Sequence, residues 1–206
     1  MIKTIVNTRY ENEEGFTFTC EPIEASLTIK QTATGYEARY LTQDYDAQSP
    51  QEWGDDKHFL VGYHRDFTVD HNKRIDKDLA QEIAKGKETE NSEAQCYVKA
   101  YHIFGLEAYI HSGVALALAH EGNFCDRQWD VSQLGLVFVA KEEWKTRDKA
   151  REAARGLVEE WNRYLSGDVY CIVKETYNKN KNKLEHDICG GYYGNKHALE
   201  ALKTDI

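Results

Sequence analysis

The chain has 206 residues, 41% of them hydrophobic and 30% charged, which is enough apolar material for a real core and argues against a long disordered linker. Formal net charge is −9, so direct binding to a nucleic-acid backbone, which needs a basic footprint, is not expected. The apolar runs are too short for a membrane span and the N-terminus is not signal-like, which points to a cytosolic protein and to no membrane partner.

Five scattered cysteines, Cys20, Cys96, Cys125, Cys171 and Cys189, form no CxxC and are odd in number. That speaks against a disulfide framework or a zinc knuckle and predicts mostly small buried hydrophobes.

In chain order, Met1–Arg9 and Phe16–Cys20 read as strands around a turn at Asn12–Gly15. Ala25–Gln31 and Tyr36–Thr42 continue the alternation, which predicts an antiparallel meander for the N-terminal third. Asp44–Asp56, DYDAQSPQEWGDD, follows with five carboxylates and no Lys or Arg. Pro50 and Gly54 predict no regular element there. Trp53 sits among acids Asp44, Asp46, Glu52, Asp55 and Asp56. These oxygens are of the type calcium takes, but their spacing is not that of an EF-hand.

Phe59–Tyr63 reads as a strand ending in His64, Arg65 and Asp66. Ile75, Leu79 and Ile83 give a narrow apolar stripe on a short helix. Lys85–Glu93 predicts a mobile loop, and Cys96–Tyr109 two β-type pieces. In His111–Val139 two apolar runs, Val114–Ala119 and Leu134–Ala140, suit central strands of one sheet. Between them lies the densest set of reactive side chains: His120, Glu121, Cys125, Asp126, Arg127, Trp129 and Asp130. Apolar spacing of three and four from Ala150 to Leu165 predicts a helix over 147–165, ended by Gly167. Asp168–Glu175 and Leu184–Ile188 read as strands around a polar turn, and Asn195 starts a last short helix.

These elements predict an α+β fold, one domain over 1–206 with a mostly antiparallel sheet and a long amphipathic helix packed on one face. Its parts would be an N-terminal meander over 1–67, a helical and loop insert over 70–95, and a central sheet and helix over 96–206.

Six motifs stand in order: SPQEWGDD at 49–56, YHRDF at 63–67, HSGVALAL at 111–118, WDVSQLGLVFV at 129–139, YLSGDVY at 164–170 and CGGYYG at 189–194. From about residue 40 to the end, the set resembles a family of phage-, prophage- and plasmid-encoded accessory proteins. The resemblance implies a mobile-element accessory protein acting inside a bacterial host, and carries no reaction with it. Ser132 stands where that family usually has Gly, and Gly190 where it often has Trp. His64, Arg65 and Asp66 replace a more basic segment.

For chemistry, His111, His120, Cys125 and Asp130 are the candidate catalytic residues of a small cytosolic hydrolase or nucleotide-modifying enzyme, with Cys125 as nucleophile and a histidine as base. His111, His120 and Cys125, with Asp126 or Asp130, are ligand types that zinc accepts, but HExxH is absent and the spacings match no closed-site pattern; no metal and no cofactor are expected. The preferred reading is non-enzymatic. The two tryptophan–acid turns would cap one sheet end and present an acidic binding surface of Asp44, Asp46, Glu52, Trp53, Asp55, Asp56, Asp126, Trp129 and Asp130. Its partner would be a host protein or nucleoprotein defence complex, inhibited in the manner of anti-restriction or anti-CRISPR proteins.

Overall fold

A computed structural model of the chain describes residues 2–6, 9–54, 57–63, 68–70, 75–111, 113–124 and 130–204. The fold is α+β with antiparallel sheets. The chain forms two compact units, Met1–Ala47 with Gly167–Ile206, and Gln48–Ser166.

In the first unit, β4 (Thr28–Gln31) and β5 (Gly35–Gln43) pair with the C-terminal strands β11 (Val169–Asn178) and β12 (Lys183–Tyr193), in the order β12-β11-β5-β4. A separate three-stranded sheet holds β1 (Ile2–Val6), β2 (Arg9–Asn12) and β3 (Thr17–Phe18). The predicted N-terminal meander is therefore split between two sheets, because β5 finds its second neighbour more than 120 residues downstream (Gln43 opposite Tyr170). Phe16 and Phe18 pack on Ala38, Tyr40, Val173 and Tyr177 on one face of the four-stranded sheet. On its other face Leu41 and Ile172 meet Ala198 and Leu202 of the last helix, Asn195–Thr204. The apolar core on the Phe16 face surrounds one fully buried carboxylate, Glu175.

The second unit is a five-stranded sheet in the order β7-β6-β10-β8-β9. Its strands are β6 (His58–Tyr63), β7 (Thr68–Asp70), β8 (Tyr101–Ile110), β9 (Val114–Leu118) and β10 (Val131–Ala140). Of the two apolar runs expected to be central, β10 is; β9 is an edge strand, with β8 between them. Gly135 is required where β10 crosses β6, because a Cβ there would stand 2.0 Å from the Val61 carbonyl oxygen.

Helix α4 (Arg147–Ser166) covers one face and buries Ala150, Ala154, Leu157, Val158 and Trp161. Each large side chain removed from water there contributes about 1.5–3 kcal/mol. Gly167 ends the helix with φ +72°. The opposite face is covered by α2 (Lys77–Ala84) and α3 (Ser92–Ala100), which enclose Phe59, Val61, Leu136 and Phe138.

Three local expectations need correction. Pro50–Trp53 forms one helical turn, α1, because Pro fits the first turn and Ser49 and Glu52 close a capping box. Tyr97 and Val98 belong to a helix, not a strand, since Asn91 accepts from the N–H groups of Glu93 and Ala94 and starts it. The connection expected to be mobile is tied down: Thr89 is buried, its hydroxyl donates to Glu82 Oε2 at 3.0 Å, and its carbonyl accepts from Gln95 Nε2 at 3.0 Å.

Candidate functional site

Of the His–Cys–Asp segment, His111 and Asp130 meet at one end of the five-stranded sheet, and His120 follows β9 at that strand's other end. His111 follows β8 and Asp130 precedes β10, and antiparallel pairing brings Tyr109 opposite Val131. His111 Nδ1 consequently lies 3.7 Å from Asp130 Oδ2. His120 Nδ1 lies 3.8 Å from Glu107 Oε1. His120 is almost fully exposed, while the Glu107 side chain is only 10% exposed. Cys125, Asp126 and Trp129 lie outside the described residues, as do Asp55, Asp56, His64, Arg65, Asp66 and the side chain of Trp53.

Glu107 is the residue that the motif reading missed. On β8, Phe104, Leu106 and Ala108 face α4, so period-two alternation turns Glu107 and Tyr109 to the other face. The segment after β9 folds back over that face. Phe124 stacks on Tyr109 with ring centroids 5.5 Å apart, and a Cβ at Gly122 would collide with the Phe124 ring and Ala117. His120 makes this reversal in a left-handed conformation, φ +67°, which His tolerates better than most residues. Glu121 is drawn instead to α4, accepting from Arg155 Nε at 2.7 Å and Arg151 Nη1 at 3.0 Å. The Arg155 guanidinium holds its carboxyl below the usual range. A lone carboxylate inside the apolar run IFGLEAYI was the available signal for Glu107. Among the described residues, no group of three or more His, Cys, Asp or Glu is placed to hold a metal ion.

The acidic segment is divided between the two units. Asp44 and Asp46 belong to the first unit, Glu52 to the second. Glu52 is engaged locally, its Oε1 3.3 Å from Ser49 Oγ. Lys57 and Asp130, the described residues that border the two tryptophan–acid turns, adjoin opposite ends of β10. Lys57, just after the first turn, accepts from the N–H of Ala140, the last residue of β10, whereas Asp130 precedes its first. Ten extended residues separate these ends by roughly 30 Å. The reason is topological: β6 runs antiparallel to β10, so the chain enters the two strands from opposite sides.

Asp44 has a different role. Its Oδ2 accepts from Gly191 N–H at 2.9 Å and its Oδ1 from Asp46 N–H at 3.2 Å, while its own N–H donates to Val169 O at 3.0 Å. The neighbouring Cys171 thiol is pushed up to about 12 by burial and by the Asp44 charge. These bonds fix a turn that displays Tyr45 at 87% exposure, the most exposed large apolar side chain among the described residues. Asp46 beside it is also exposed.

The chain matches no protein-family model, no curated protein and no solved structure.

The expectation of mostly buried cysteines is corrected as well: Cys96 and Cys189 are exposed, Cys20 and Cys171 half-buried, and all four are free thiols. Among the described residues no helix is long and apolar enough to cross a membrane.

Proposed function

We propose that this chain is a binding protein of a mobile genetic element that holds and inhibits a host defence component, with the Tyr45–Asp46 turn as an anchor. The observation that carries the reading is Tyr45, an aromatic ring left in water on a turn pinned by three hydrogen bonds. Tyr is enriched among the residues that dominate binding energy, and a turn already fixed loses little entropy on association. The flanking carboxylate and the net charge of −9 favour a basic partner, which suits a protein that itself binds nucleic acid. The motif resemblance to phage- and plasmid-encoded accessory proteins supports the setting. The test is to measure binding of the chain to purified restriction and CRISPR effector complexes, with defence activity followed in cells that express it. Binding that weakens about thirtyfold in Tyr45→Ala supports the proposal; unchanged defence activity and no complex refute it.

A second reading has its own support. Two His–carboxylate pairs, His111 with Asp130 and His120 with Glu107, lie at opposite ends of β9, and the second includes the nearly buried Glu107. Such a set suits acid–base chemistry on a small molecule or nucleotide, with Cys125 as nucleophile. Cys125→Ala, His120→Ala and Glu107→Gln separate the two: a binder tolerates all three, whereas a hydrolase loses its activity with each.

A further inference from the structure

Natural sheets seldom leave a long edge strand open, because its unpaired N–H and C=O groups recruit other strands. The second unit obeys that rule. Asn162 of α4 accepts from Leu116 N–H at 2.7 Å and donates to Leu116 O at 2.9 Å, closing the outer edge of β9 with a side chain. In the first unit β12 has no such cover among the described residues. Every residue from Leu184 to Gly191 is exposed, including Leu184 and Ile188. Bonds to its backbone from outside the sheet begin only at Gly191, which meets Asp44.

The pairing of β12 with β11 sets Ile188 opposite Val173, His186 opposite Glu175 and Lys183 opposite Tyr177. Lys183, His186 and Ile188 thus share the face on which β3 packs. Between β3 and this edge lies a cavity of about 570 Å³ lined by Thr17, Thr19, Lys181, Asn182, Lys183 and His186. Its titratable groups are all cationic or become so on protonation, in a chain that is strongly acidic overall. Lys183 is held from behind by Glu175 at 2.7 Å, while Lys181 sits over the Phe16 ring with its ammonium 5.0 Å from the centroid.

We propose that β12 takes up an extended segment of a partner protein as a fifth strand of this sheet, with an acidic side chain of that segment entering the cavity. Side chains on one face of an added strand stand two residues apart. The position beside His186 meets the cavity and the position beside Ile188 meets an apolar side chain. The recognised segment therefore carries Asp or Glu two residues from an aliphatic residue. Charge speaks against a second copy in the register that would centre on the cavity: antiparallel self-pairing about His186 would oppose His186 to itself and Glu185 to Asp187, and would bring no carboxylate opposite His186. The segment need not belong to a defence component, so this proposal stands apart from the one above.

The test uses a fluorescein-labelled peptide with one Glu flanked at two positions on either side by Val, Thr between them, and its twin with Lys for Glu. Fluorescence polarisation on the full chain should show saturable binding of the first and about tenfold weaker binding of the second. In Lys181→Glu with His186→Glu the order should reverse, which loss of structure alone does not produce; thermal melting checks that this variant is folded. No binding of either peptide below about 1 mM, equal affinity for both, or an order unchanged by the charge swap would each overturn the proposal. Sedimentation showing a dimer that Ile188→Lys dissolves would also overturn it, by giving the edge to a second copy.

Discussion

Glu175 shows how a single charge is accommodated in an apolar core. Burial opposes its ionised form, but Lys183, the Thr19 N–H and hydroxyl, and Tyr177 outweigh that cost and hold its carboxyl below the usual range. The hydroxyl of Tyr177 is pushed up in turn, by burial and by that carboxylate. Because the folded value is depressed, the stabilisation is present above the unfolded Glu value of about 4.3 and is lost as pH falls through the folded value. Glu175→Gln should lower stability in urea at pH 7 by about 3 kcal/mol, since it leaves a partly buried ammonium unpaired, and should flatten the acid limb of the stability curve. An unchanged acid limb would show that the network is not ionised. Nearby, Gly190 leaves room for Asp44: a Cβ there would stand 2.5 Å from Asp44 Oδ2. Cys171 has a thiol held up near 12 and should resist iodoacetamide at pH 7.5, whereas exposed Cys189 reacts; mass spectrometry of labelled peptides reads the order.

At the scale of elements, the helix over 147–165 was legible because its apolar face repeats over about four turns, and it spans Arg147–Ser166. Strands β5, β6, β10 and β11 were legible from alternation or apolar runs between turn residues. Helix α3 was not, because Tyr97, Val98, Tyr101 and Ile103 read as one β-type run, whereas Asn91 starts a helix that ends at Ala100 and a strand begins at Tyr101. The pairing of β5 with β11 was invisible for a different reason: register between distant strands is set by packing, which no local pattern encodes. Asn162 was equally hidden. It lies on a helix, yet it serves a strand edge, and Asn162→Leu should cost about 1–3 kcal/mol by stranding both polar groups of Leu116. Denaturation in urea measures it; a variant as stable as the parent would mean that water replaces the amide without loss.

For the molecule as a whole, the candidate site was partly legible. His111 and Asp130, both named from the sequence, lie 3.7 Å apart, while Glu107 enters from a strand that carried no motif. The acidic, aromatic surface was expected from Trp53 and Trp129; Lys57 and Asp130, which border their turns, adjoin opposite ends of β10, and among the described residues Tyr45 is the ring displayed on a fixed turn. Aromatic content and charge can be counted in a sequence; which ring is left in water depends on which neighbours bury the others. Binding to purified restriction and CRISPR effector complexes, read by surface plasmon resonance for the parent chain and for Tyr45→Ala, tests the binding role most directly. A saturable complex that weakens about thirtyfold in the variant is the predicted result; a complex of equal strength with both chains, or none with the parent, contradicts it.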